Sequence, residues 1–309
     1  MKTLPKITFL LIAFCCFLQT NAADIYWSGS GGDWSDITKW SYDQVSPCGC
    51  LPAPTDDAII STDFIIVSTN TSVNSIDVFG SGVLALFTFT IESAATLTIN
   101  GIGAANSFKL GSNMHLNNMG SIVINYSDTF GLHIYGTGEN NGEIVSSFCD
   151  NAVRVKGDFV NNGLMQLSDS SYGIVCDGSS NFTNNGTISV SSSDLNYWPF
   201  PRGLRISSSF FENYSNIIIS GTKIGIECGT PFGGTNVNSG FYNRNNATIA
   251  LMDLESIGIS ISTGTTAFDF INEIDASISV SDVDGFGSPS FIDIVSSGFD
   301  CVGNLSIGQ

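Results

Sequence analysis

Apolar residues in this chain alternate with polar ones over runs of four to six residues, and the runs are rich in Thr, Ile, Val and Phe. That period of two marks half-buried β-strands, and no stretch of the body shows the 3.6-residue period of a helix. Asn-Asn-Gly, Asp-Gly and Ser-Gly clusters separate the runs, where Asn and Gly tolerate positive φ.

The runs recur as one signature: LNNMGSIVI (116–124), ENNGEIV (139–145), FVNNGLMQL (159–167), FTNNGTISV (182–190), FENYSNIII (211–219), FYNRNNATIAL (241–251) and FINEIDASISV (270–280). Anchored on Ile122, Ile144, Met165, Ile188, Ile218, Ile249 and Ile278, the spacings are 22, 21, 23, 30, 31 and 29, and Ile76 and Leu97 extend the series upstream. A second signature runs in step with it, from GLHI (131–134) through AVRV, GIVC, GLRI, GIEC and GISI to FIDI (291–294). Repetition at this period points to a stacked coil.

Two short strands per unit, with coils stacking at roughly 4.8 Å, make a right-handed parallel β-helix of eight or nine coils, about 40 Å long. Ile122/Ile124, Met165/Leu167, Ile188/Val190 and Ile278/Val280 are expected to point inward. Phe159, Phe182, Phe211, Phe241 and Phe270 are expected to form an aromatic file. Asn161, Asn184, Asn213, Asn243 and Asn272 should form a hydrogen-bonded ladder two residues on.

Residues 1–22 carry Lys2 and Lys6, an apolar run from Ile7 to Leu18, and small residues at Thr20 and Ala22. They read as a secretory signal peptide cut after Ala22, too short to span a bilayer. The expected localisation is therefore secreted or cell-surface, with no transmembrane segment in the mature chain. The whole chain has formal net charge −18, with Lys+Arg 10 against Asp+Glu 28, and the mature chain about −20. Such a balance argues against nucleic acid as a partner. Charged residues make up only 12% against 42% hydrophobic, so disorder is excluded and a large core is expected.

The mature start reads IYWSGSGGDWSDITKWS (25–41), then PAPTDDAIIS (52–61). Trp27, Trp34 and Trp40 followed by a Pro/Asp-rich turn resemble the N-terminal module of large secreted bacterial surface proteins with β-helix bodies, known from the type IX secretion system. The resemblance implies an adhesin-like protein with a C-terminal sorting domain. The last residues here, GNLSIGQ, read as the start of another repeat. Residues 23–62 are accordingly expected to cap the open first coil, and 63–309 to form the repeats.

Candidate chemistry is sparse. Cys176 and Cys228 occupy equivalent inward positions with one coil, at Ile206, between them, too far apart for a disulfide. Cys48 and Cys50 share one loop, where a local or longer-range disulfide is a better reading than a metal site. His115 and His133 are expected to face solvent without triad partners. Asp56/Asp57 and Asp282/Asp284 are candidate calcium oxygens, but ordinary Asp-Gly turn chemistry accounts for them, and no cofactor is expected. Seven sequons, at Asn70, Asn125, Asn181, Asn185, Asn213, Asn246 and Asn304, follow from composition.

The longer units imply outward loops. The most conspicuous, DLNYWPFPR (194–202), makes Tyr197, Trp198 and Phe200 the candidate contacts to glycans or cell-surface proteins. Function thus reads as an adhesin-like or structural stalk module without catalysis. The competing class is a polysaccharide lyase or glycoside hydrolase on the same scaffold, for which Arg154, Lys156 and Arg205 could line one face if carboxylates converged there. Ice binding through Thr88/Thr90 and Thr96/Thr98 is disfavoured, because the Thr-x-Thr pairs do not repeat.

Overall fold

The computed structural model describes residues 23–62, 64–79, 87–192, 201–229, 239–262, 268–283, 290–295 and 299–307. The alternating runs build a parallel β-helix. Each full coil contributes one strand in turn to three sheets, which hold 12, 11 and 10 strands. Those counts correspond to eleven coils among the described residues: the first lacks a third-sheet strand, and Trp40–Ser41 adds an antiparallel edge to the first sheet. At roughly 4.8 Å per coil the rod is about 50 Å long.

Three findings revise the expected repeat. A coil has three strands rather than two, because the short Asn-ended run (Asn181–Asn184, for example) is a sheet of its own. Ile76 belongs to the first sheet, packed in register with Phe108, whereas the third-sheet series begins at Thr71–Val73 opposite Leu97–Ile99. In Asn216–Ser220, Ile217 and Ile219 point inward and Ile218 is 38% exposed. Three consecutive isoleucines carry no alternation, so only pairing of Ile217 with Ile188 and Ile249 settles which face each one takes.

The aromatic file is present. Phe159, Phe182, Phe211, Phe241 and Phe270 pair in register along the second sheet, with ring centroids 5.5, 4.7, 5.3 and 4.9 Å apart. At the end of the same strands runs a ladder of seven buried asparagines: Asn118, Asn140, Asn161, Asn184, Asn213, Asn243 and Asn272. The first six each donate through Nδ2 to the Oδ1 of the next at 2.6–2.8 Å. Ladder and file together satisfy the polar corner and fill the core beside it, each coil supplying the partner of the next. Asn213 is a sequon that this burial removes from the surface.

The small residue opening the second signature has a steric origin. A Cβ at Gly203 would lie 2.5 Å from the Gly225 carbonyl oxygen and 2.6 Å from two Ile219 carbons, at the corner where third sheet meets first. At the N-terminal end, Trp27, Trp34 and Trp40 are buried and meet edge-on, with Trp34 and Trp40 centroids 4.7 Å apart and Trp34 reaching Phe89. The Trp40 indole donates to the Trp34 carbonyl at 2.9 Å. Asp24–Trp27 and Asp57–Ile60 are already neighbours in the parallel ladder of the first sheet, so the coil starts within the Trp-rich segment. Cys48 and Cys50 are bonded to each other, with Cα atoms 5.2 Å apart.

Candidate ligand groove

Inward residues fill the first sheet at two files, for example Val153/Ile174/Leu204 and Val155/Cys176/Ile206. The residue between them faces out, and successive coils therefore stack Lys109, His133, Arg154, Val175, Arg205 and Glu227 in one outer file. A second outer file holds Asn106, Phe130, Asn151, Tyr172 and Arg202. With Lys156 at the strand end, five of the chain's ten basic residues stand on this single face. The spacing of the second signature places Arg154 and Arg205 together, as expected from the sequence.

Each cation is pinned. Arg154 forms a two-point ion pair with Asp177, one coil on, and lies 4.8 Å from the Phe130 ring centre. Arg202 and Arg205 both reach Glu227, at 3.0 and 3.6 Å, and both donate to the Tyr172 hydroxyl, at 3.2 and 3.3 Å. Their guanidiniums stand 5.2 and 5.5 Å from the Tyr172 ring centre. Lys109 pairs with Asp77 at 2.9 Å. Rigid strands, ion pairs and ring contacts leave these side chains little freedom to lose on binding.

Between them lies a groove of about 380 Å³, lined among others by Phe130, Asn151, Arg154, Tyr172, Asp177 and Arg205. Asp150 also borders it and accepts a hydrogen bond from Asn151 at 3.0 Å. Two carboxylates, two guanidiniums, a phenol and an amide thus share one exterior cleft. The expected contacts Tyr197, Trp198 and Phe200 lie outside the described residues, while Arg202, just beyond them, begins a strand of this face. Sequence reasoning missed Phe130, Asp150, Asn151, Tyr172 and Asp177. Phe130, Asn151 and Tyr172 each immediately precede the second signature but share no residue type that would mark them.

His133 differs from expectation. It is 2% exposed, not solvent-facing, because Phe130 and Tyr135 close over it at 4.4 and 4.2 Å between ring centres. Nδ1 lies 3.0 Å from Asn106 Oδ1, an acceptor that requires the proton on Nδ1. Burial first, then the charges of Arg154 and Lys156, push its pKa down to about 4. The unfolded chain, with a histidine pKa near 6.5, therefore binds more protons than the folded one as pH falls from about 6.5 to 4. Stability is expected to drop by roughly 2–3 kcal/mol across that window. His133→Gln should flatten the drop; urea midpoints at pH 7 and pH 4.5 for both proteins read it directly.

His115 sits half-buried on the outer face of the second sheet, its Nδ1 2.8 Å from the Thr137 hydroxyl. Burial raises the thiols, Cys149 to about 11 and Cys176 and Cys228 well above the usual range, so these side chains behave as small core hydrophobes and not nucleophiles. Register places Ile206 between Cys176 and Cys228, as the spacing implies. Among the described residues no group of three or more His, Cys, Asp or Glu is placed to hold a metal ion, and no helix is long and apolar enough to cross a membrane. Asp282 is exposed at a positive φ of 52°, in keeping with a turn, and Asp284 lies outside the described residues. The outer file Ser72, Thr98, Val123, Val145, Gln166 on the third sheet shows no repeated Thr array.

No protein-family model, curated protein or solved structure matches the chain.

Proposed function

We propose that the chain is an exported, adhesin-like β-helix protein that holds a glycan on the outer face of its first sheet and catalyses no reaction. The export leader at 1–22 and the Trp-rich start support the exported, surface-protein part of this reading. One observation carries the binding part: a cleft whose hydrogen-bonding groups are fixed in place by ion pairs on rigid strands. Hydroxyl-rich ligands reward such fixed arrays of donors and acceptors. Trp198, with Tyr197 and Phe200 on the segment leading into Arg202, is a further proposed contact.

The presence of both Asp150 and Asp177 in the cleft favours a second reading, a carbohydrate-active enzyme. Both Asp177 oxygens are engaged by Arg154, however, which ill suits a group that must pass a proton during turnover.

A glycan array run beside a reducing-sugar release assay tests the two. Binding without release supports the adhesin-like reading, and release of reducing ends from a bound glycan overturns it in favour of the enzyme. Tyr172→Ala should weaken array binding at least tenfold, about 1.4 kcal/mol. Unchanged binding by that variant removes the cleft, and unchanged binding by Trp198→Ala removes the loop.

A further inference from the structure

The cleft follows the rod. Its lining comes from four successive coils: Thr129 and Phe130, then Asn151 and Arg154, then Tyr172 and Asp177, then Arg205 and Ser207. Four coils enclose three strand-to-strand intervals, about 14 Å along the axis. One pyranose in an extended β-1,4-linked chain advances by close to one such interval, so a linear glycan laid along the axis stays in step with the coils.

The charge of the cleft is balanced. Arg154 is answered by Asp177, Arg202 and Arg205 share Glu227, and Asp150 brings the carboxylates to three against three guanidiniums. No surplus positive charge is built in for a carboxylated or sulfated sugar, and the field of a chain with net charge −18 opposes a polyanion. The faces of Phe130 and Tyr172 carry guanidiniums, so the rings serve to hold the arginines and the sugar is met by hydrogen-bonding groups.

We infer that this cleft takes an uncharged, unbranched oligosaccharide, about three pyranose units long, lying parallel to the rod axis. The inference rests on the glycan-binding reading and narrows it.

The test is titration calorimetry on the full chain with cello-, manno- and xylo-oligosaccharides of one to six units, and with oligogalacturonides of the same lengths. At least one neutral series should bind, with affinity rising to three units and levelling off beyond. The oligogalacturonides should bind at least tenfold more weakly. Tyr172→Phe, which removes only the hydroxyl, and Asp177→Asn should each weaken the neutral trimer at least fivefold, with the circular dichroism spectrum and melting midpoint checked for each variant. Tighter binding of the galacturonides, equal affinity at one and six units, or trimer binding untouched by both folded variants would overturn this inference and leave glycan binding standing. Failure to bind any of these saccharides overturns the inference. A glycan array blank as well would also sink the glycan-binding reading beneath it.

Discussion

Phe211→Ala is expected to destabilise the protein by about 3–5 kcal/mol. Phe211 is fully buried in the middle of the aromatic file, nearly parallel to Phe182 at 4.7 Å and to Phe241 at 5.3 Å. Truncation removes the ring's burial and opens a cavity between two rings that are held in place by their own ladders. In a solenoid each coil is stabilised chiefly by its two neighbours, so the loss should concentrate in the coils that carry Phe182 and Phe241. Chemical denaturation reads the total. Amide hydrogen exchange of Asn181–Asn184 and Ser239–Asn243 should show protection lost there first. A loss below about 1 kcal/mol would show that the file is not packed as described.

Asn184→Ala is expected to cost about 2–4 kcal/mol. The Asn184 amide accepts from Asn161 Nδ2 and donates to Asn213 Oδ1, both at 2.8 Å and both buried. Its removal leaves a donor and an acceptor without their shortest partners, and each buried orphan carries a desolvation penalty. The ladder's end supplies an internal control. Asn118 Oδ1 has no partner among the described residues, so Asn118→Ala orphans chiefly the Asn140 oxygen and should cost roughly half as much. Equal melting midpoints for the two variants would argue against a connected ladder.

Both predictions concern features that the sequence displays as a period. Phe182, Phe211 and Phe241 recur at one place in the repeat, and so do Asn184, Asn213 and Asn243. In a parallel coil each inward residue packs on its own equivalent one turn later, and that turns a tertiary contact into a sequence period. Where the period blurs, legibility ends. A run of three isoleucines hides the alternation around Ile218, and the sequence period alone puts the wrong one of them inside. The first coils escape the repeat count because their second-sheet strands end in Val67 and Ile91, where the later ones end in Asn.

His133 shows a second limit. Strand alternation places it outward, which is correct for the backbone. Phe130 and Tyr135 then cover it, a lateral contact between neighbouring outer positions on one strand that strand alternation does not encode.

The chain by itself determined the stacking, the inward files and the ladder, because a core of repeating coils imposes the same demand at the same step of every turn. Only the tertiary structure decided that Phe130, Asp150, Arg154, Tyr172, Asp177 and Arg205 share a cleft. Outward positions bear no packing demand and so leave no period to read. Their company is set by coil lengths that differ from turn to turn and by the ladder that brings them back into register.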